Sequence, residues 1–447
     1  MGGEWPLVTV GELADSISDK HKLGKDHLIF LNTSDVLLGK ILHHSYSTVS
    51  DWPGQAKKSI QRNDILFSEI RPANGRWAYV DIDADDYVVS TKLMVIRARE
   101  RRVVPRFLYH FLTNAETTRW LQHLAESRSG TFPQITFDQV AELELVLPPL
   151  GVQANITNFL DCISNKIELN HRMNETLEAM ARMLFKSWFV DFDPVRSKKE
   201  GRDTGLPKHI ADLFPATFQD SPIGPIPKDW NVEPFDAHIT AERGLSYKGE
   251  GLRDDGTGLP MHNLNSIYEG GGYKHEGIKY YDGEYREKHL LRPGDMIVTN
   301  TEQGFDHLLI GHAAIVPACY GPKGLYSHHI YRVRMRPSSP FSPHYLVELF
   351  NNRLWHYWIS GFSNGTTINM LPLDALEMPL LVVPSIGLVR KFNELAEAAH
   401  LQIEANIQQS RTLAALRDTL LPKLISGELR VGGRKKTGGH RRTRTEG

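Results

Sequence analysis

The chain repeats itself at an offset of 235 to 236 residues, which restricts a 447-residue protein to two versions of one folding plan in tandem. The text Lys166-Ile-Glu-Leu-Asn170 recurs as Gln402-Ile-Glu-Ala-Asn406. At the same offset Thr176/Thr412, Leu177/Leu413, Ala179/Ala415 and Leu184/Leu420 are identical pairs. Upstream, Gly130-Thr131 meets Gly365-Thr366, Glu142 meets Glu377, Pro149 meets Pro384 and Asn158 meets Asn393. A weaker echo continues in the same order: Asp64-Ile-Leu-Phe-Ser68 answers Asp295-Met-Ile-Val-Thr299, and Val89-Ser90 answers Tyr326-Ser327. Each copy therefore runs from a strand-rich, variable part into a helical, better preserved part.

The helical parts declare themselves by period. Ile156, Leu160, Ile163, Ile167, Asn170, Asn174, Leu177, Ala181, Leu184 and Trp188 follow alternating steps of four and three, the seam of a coiled coil. The second copy runs Phe392, Leu395, Ala399, Ile403, Asn406, Leu413, Leu416 and Leu420. Two long helices with matching seams bury them best against each other; separate packing on each domain is the alternative. Asn170 and Asn406 fall on the seam in both copies, as polar residues that fix register do, although a surface position would also accommodate them. The first helix, expected over residues 153–189, would be about 55 Å long.

The expected architecture is α+β: a strand-rich domain over 1–148, a helical region over 149–190, a linker over 191–228, a second strand-rich domain over 229–383, a helical region over 384–431 and a basic tail over 432–447. The linker reading rests on Pro194, Pro207, Pro215, Pro222, Pro225 and Pro227 and on the charged run from Lys198 to Asp203. Charge is almost balanced, with 52 Lys and Arg against 53 Asp and Glu, so no whole-chain field announces a polyanionic partner. The tail holds Arg434, Lys435, Lys436, Arg441, Arg442 and Arg444, a basic arm able to touch phosphate or a solvated, inert end. Cys162 and Cys319 lie far apart without metal-ligand spacing, so neither a disulfide framework nor zinc is expected. No apolar run approaches the ~18 residues of a membrane span, and the expected compartment is the cytoplasm.

Catalytic text is missing. There is no GxxxxGK[ST], HExxH or GxSxG, and Gly249-Glu-Gly251 does not complete a dinucleotide fingerprint. No Asp/Asn-Pro-Pro-aromatic sequence of the amino-methyltransferase kind is present either. Binding chemistry is more prominent. Tyr247-Lys248, Tyr273-Lys274 and Tyr285-Arg286 interleave aromatic and basic groups in a glycine-rich stretch, a pattern suited to phosphate and base contacts and equally to a solvated β surface. Ser68, Arg71, Asn74 and Arg76 form a polar loop behind a strand. Arg128, Thr131 and Gln134, and Asn364, Thr366, Thr367 and Asn369, belong to paired Gly-Thr loops that could contact DNA or cap a turn. Lys92, Asn263, Thr301, Gln303 and His328 complete the candidates for nucleic-acid contact.

Several segments carry a family resemblance. Leu147-Pro-Pro149 leading to Lys166-Ile-Glu-Leu-Asn170, then the run from Met173 to Arg182 and Leu184-Phe-Lys-Ser-Trp-Phe-Val-Asp-Phe-Asp-Pro-Val-Arg196, closely resembles the central region of type I restriction-modification specificity subunits. The run from Thr412 to Leu429 is similar to their distal region, and the segments Gly205-Leu-Pro207 and Ile226-Pro-Lys-Asp-Trp230 also fit. The resemblance implies two target recognition domains separated by an antiparallel coiled coil. Each would read one half of a split, asymmetric duplex site. It implies a chain that catalyses nothing alone and docks methylation subunits, two by expectation, together with restriction subunits. S-adenosylmethionine, ATP and magnesium would then belong to those partners. A coiled-coil interaction scaffold without base readout is the competing expectation.

Overall fold

The computed structural model describes residues 5–128, 133–303, 306–365 and 368–429, without the side chain of Arg128. Thr131, Thr366, Thr367 and the basic tail lie outside the described residues. The chain forms two units. Unit one takes the described residues up to Glu168 and those from Ser410 onward, and unit two takes Leu169 to Gln409.

Each unit is built on a four-stranded antiparallel sheet of the same strand order. Unit one contains β1 (Ala14–Ile17), β2 (Ile65–Ser68), β3 (Trp77–Tyr79) and β4 (Leu93–Ala98), ordered β1-β4-β2-β3. Unit two contains β5 (Ile239–Arg243), β6 (Met296–Thr299), β7 (Thr301–Gln303), β8 (Ala313–Ile315), β9 (Ile330–Met335) and β10 (Ile368–Met370). Its sheet is ordered β5-β9-β6-β8, while β7 pairs antiparallel with β10. The equivalence reaches side chains. Asp64, fully buried, holds the Arg97 guanidinium through Nε at 2.8 Å and Nη2 at 2.9 Å. Asp295 holds Arg334 through the same two nitrogens at 3.1 and 2.9 Å. Such two-pronged, charge-assisted pairs fix one strand's register on its neighbour.

The long helices are Leu150–Phe185 and Ile386–Ile425. They run antiparallel. In unit two, Asn170 Nδ2 donates to the Asn406 carbonyl at 3.3 Å and to Gln409 Oε1 at 2.9 Å, and Asn406 Nδ2 donates to Asn174 Oδ1 at 2.8 Å. Further along, the Phe185 and Phe392 rings meet at 5.6 Å, so numbers rise on one helix as they fall on the other. In unit one, Ile156 and Leu160 share a core with Leu421, Leu424 and Ile425. Both seam asparagines are buried, as are Ile156, Leu160 and Ile163. Ile167, Leu177, Leu184, Ile403, Leu413 and Leu420 are half-buried.

Two seam residues depart from the expectation: Leu395 is 40% exposed and Leu416 44%. An α-helix drifts by roughly 20° per heptad against a 3.5-residue repeat, so a seam read over five heptads need not face the partner throughout. The first helix also begins at Leu150, directly behind Pro149, and its expected last turn is a π-helical turn over Lys186–Val190. That turn places Trp188 and Phe189 in the core of unit two.

The proline-rich segment after it is folded rather than a spacer. Val195, Ile210, Phe214 and Ile226 are buried in the same core as Trp188 and Trp230. Pro194 opens the helix Asp193–Lys199, where a missing N–H costs nothing, and Pro207 caps the turn Lys208–Ala211. The prolines here shape turns between buried anchors. Among the described residues no helix is long and apolar enough to cross a membrane.

Candidate nucleic-acid interface

In unit one the polar loop after β2 is pinned from every side. The Ser68 hydroxyl accepts from the Ile70 N–H at 3.1 Å, Glu69 N donates to the Lys92 carbonyl at 3.1 Å, and Arg71 N donates to the Pro133 carbonyl at 3.1 Å. Ile70 forms a bridge with Gln134, and Ala73 N donates to Gln122 Oε1 at 3.0 Å. Arg71 sits at φ 45°, a left-handed conformation that costs a non-glycine residue roughly 1–2 kcal/mol and persists only when its surroundings over-determine it. Gly75 closes the turn at φ 69°, where an added Cβ would lie 2.6 Å from Leu38 Cδ2. The result is a rigid tip that exposes Arg71 and Asn74.

Three neighbours serve the tip rather than present themselves. Ser68 is buried against its own turn. Arg76 donates Nη1 to the Ser34 carbonyl at 2.8 Å. Lys92 is half-buried, with its backbone supporting Glu69. An exposed, preorganised arginine suits bidentate readout of guanine O6 and N7, and asparagine and glutamine amides suit adenine.

Unit two places its counterpart at the same end of the corresponding strand. Buried Asn300 follows β6 directly, donating Nδ2 to the His328 carbonyl at 3.1 Å and accepting from Leu371 N at 2.8 Å. Thr301 Oγ1 donates to Asn300 Oδ1 at 2.7 Å, and His329 Nδ1 lies 3.3 Å from Thr301 Oγ1. The ladder between β7 and β10 sets Thr301 opposite Met370, Glu302 opposite Asn369 and Gln303 opposite Ile368, and Asn364 closes on Met370 through two 2.9 Å backbone bonds. The structure thus brings Thr301, Gln303, His328, Asn364 and Asn369 into one cluster.

Within it Gln303 and Asn364 are exposed, while Thr301 and Asn369 are buried and build the ladder. Tyr247 packs on the His328 ring at 6.2 Å, and His328 on His329 at 3.8 Å. Burial, with His328 and Arg243 nearby, lowers the His329 pKa and favours the neutral imidazole. Lys248 stands exposed beyond Tyr247. Asn263 accepts from Asn265 N to cap a turn.

Sequence reasoning missed Asn300 and Glu302. The Glu302 carboxylate accepts from the backbone N–H groups of Leu308, Leu309 and Ile310 at 2.8, 3.1 and 2.9 Å, which folds the loop above the tip. Their position just behind Thr299, the repeat partner of Ser68, was the available signal. Of the remaining aromatic–basic text, Tyr285 and Arg286 are exposed, whereas Tyr273 is structural. Its hydroxyl lies 2.8 Å from Nδ1 of His262, whose imidazole burial holds down at about 3.

A family model described as the type I restriction modification DNA specificity domain matches residues 3–179. The specificity subunit of the type I restriction enzyme HindI from Haemophilus influenzae is 33% identical over 463 aligned positions, covering 95% of this chain and 100% of its own. That of MjaIX from Methanocaldococcus jannaschii is 24% identical over 340 positions, covering 74% and 70%. The crystal structure of a type I restriction-modification S subunit from M. genitalium superposes with a TM-score of 0.54 at 13% identity, covering 94% of this chain and 96% of its own, a likeness of fold. With two equivalent strand-rich units on paired long helices, and a relative matched along nearly its whole length, the chain belongs to the type I restriction-modification specificity subunits.

Proposed function

We propose that this chain, a non-catalytic DNA specificity subunit, reads a split, asymmetric duplex site with one half-site at each tip: Arg71 and Asn74 in unit one, Gln303 and Asn364 in unit two. The observation that carries the reading is that equivalent sheets, locked by equivalent Asp–Arg pairs, end in tips of different chemistry. Equal frames suit two halves of one site; unequal tips suit different bases. Near-neutral net charge fits a chain whose partners supply much of the phosphate contact. Methylation subunits, two in number, would dock on it and methylate adenine with S-adenosylmethionine, and restriction subunits would bring ATP and magnesium.

Methylome sequencing of cells with and without the chain tests this. A two-part adenine-methylation motif should vanish on deletion. An unchanged methylation pattern would overturn the reading.

A further inference from the structure

A charged cleft lies at the opposite end of β6 from the tip. Strand β9 alternates, sending Tyr331 and Val333 into the core and Arg332 and Arg334 to the other face. Those two arginines floor a cleft of about 400 Å³ whose walls carry Lys288, Arg292, Lys323 and Glu287. Arg332 donates Nη1 to the Leu290 carbonyl at 2.6 Å and pairs with Glu242, and Arg334 is held by Asp295. Five cations against Glu287 and these two engaged carboxylates leave a surplus of two positive charges. Lys288, Arg292 and Lys323 are exposed and meet no acid within ion-pair distance among the described residues. Two of the three free cations belong to one copy, while Lys288 meets Lys57 in the register of Asp64 with Asp295. In the repeat register of Asp64 with Asp295, Arg292 corresponds to Gln61; in that of Val89 with Tyr326, Lys323 corresponds to Asp86, which pairs with Lys25.

We propose that this cleft holds backbone phosphates of the same duplex, flanking the half-site read by unit two. This rests on the DNA reading above and adds a contact that reading does not need. Strand β6 separates the cleft from the tip by the five residues from Asp295 to Asn300, about 16 Å at ~3.3 Å per residue. The guanidinium and ammonium groups recognise charge and phosphate geometry, not bases, so the contact lengthens the footprint on one side without adding sequence information.

The test combines Lys288→Ala, Arg292→Ala and Lys323→Ala in the full chain assembled with its methylation subunits. All three side chains are exposed, and the turn keeps its bond from Arg292 N to Asp295 Oδ2. Binding is measured against salt on the methylated-site duplex, either trimmed to the site or extended on each side by a helical turn of about 10 base pairs. On the extended duplex the slope of log affinity against log salt should fall by about 3, at ~0.9 for each of the three phosphate contacts removed. The preference for cognate over random duplex should stay unchanged, and on the trimmed duplex variant and parent should bind alike.

An unchanged slope on extended DNA, or equal loss on both duplexes, overturns the proposal. So does loss of methylation-subunit assembly with the slope intact, which would make the cleft a protein contact. Displacement of DNA from the parent alone by inorganic phosphate at matched ionic strength would mark a free-anion site instead and overturn it as well. If the parent itself fails to prefer its cognate duplex, the recognition reading fails, while the slope comparison still judges the cleft.

Discussion

Glu348 should make the stability of unit two depend on pH in the sense opposite to an ordinary surface carboxylate. It lies on the helix Pro343–Phe350 and lines a cavity of about 140 Å³ with Glu178 and Arg182 of the first long helix and His344, His400 and Glu404. Burial raises its pKa from 4.5 to about 7, with Glu178 adding to the rise and Arg182 opposing it. Because the folded value exceeds the unfolded one, the native state favours the protonated form. Stability is greatest below about 4.5 and declines as pH rises to about 7, where the group ionises inside the cavity. At ~1.4 kcal/mol per pH unit the whole decline is about 3 kcal/mol, and about 2 kcal/mol once residual solvent access is discounted.

Glu348→Gln keeps the shape and removes the titration. Hydrogen exchange of the peptide Pro343–Phe350, compared between variant and parent at each pH, isolates the term, since intrinsic exchange cancels. Protection should be nearly equal at pH ~4.5 and should favour the variant by about 2 kcal/mol near pH 8. His344, held down to about 4 by burial beside His400, is already neutral across that window and leaves the difference unaffected. A pH-independent difference, or a variant less protected at pH 8, would refute the reasoning.

Other substitutions test the helix seam and the tips. Asn406→Ala removes one donated and one accepted side-chain bond, to Asn174 and from Gln402, and should lower the urea-unfolding free energy of the full chain by about 2 kcal/mol; a change of only a few tenths would deny the asparagine pairing. Leu413→Glu should weaken helix protection in hydrogen exchange, whereas Leu416→Glu at a 44%-exposed site should not, and equal effects would restore the regular seam. Arg71→Ala should relax methylation specificity at one position of one half-site and Gln303→Ala at one position of the other, each by about 1–3 kcal/mol in competition binding; loss spread evenly over the site would reduce both residues to phosphate contacts.

The parts of this fold legible in the sequence are those where one physical rule dominates. Long helices announce their apolar period, and Asn170 and Asn406 break it at matching places, so the sequence alone signals the pairing. The segment from Asp191 to Lys228 reads as a linker because prolines and charges outvote its scattered apolar residues. Val195, Ile210, Phe214 and Ile226 keep no period along the whole segment, and only the packed core reveals them as anchors. At the tips, composition identifies Arg71 and Arg76 equally as polar loop arginines. Only backbone geometry separates the exposed one, held at positive φ, from the one engaged by the Ser34 carbonyl. In the same way Thr301 and Asn369 look like readers and serve as ladder, while Glu302, an acid that composition would discount, organises the loop.

The two copies differ in length where they differ in chemistry, and this explains how one frame can serve an asymmetric site. Asp64 and Arg97 are separated by 33 residues, Asp295 and Arg334 by 39, yet both pairs close with the same two nitrogens within 0.3 Å of each other. The extra residues can be placed. Val80 N donates to the Asp64 carbonyl and Val316 N to the Asp295 carbonyl, each at 2.9 Å, across 16 residues in the first copy and 21 in the second. Five of the six additions therefore fall between the second strand of each frame and its return, in the stretch that forms the tip. A strand cannot absorb an odd insertion without turning its core face to solvent, but a loop beyond the ladder can. The two-pronged Asp–Arg pair keeps the frame in register while the tip grows, and Glu302 gathers the longer loop by its backbone N–H groups rather than by its sequence. Divergence confined in this way changes which groups reach a base edge and leaves the sheet that aims them unaltered.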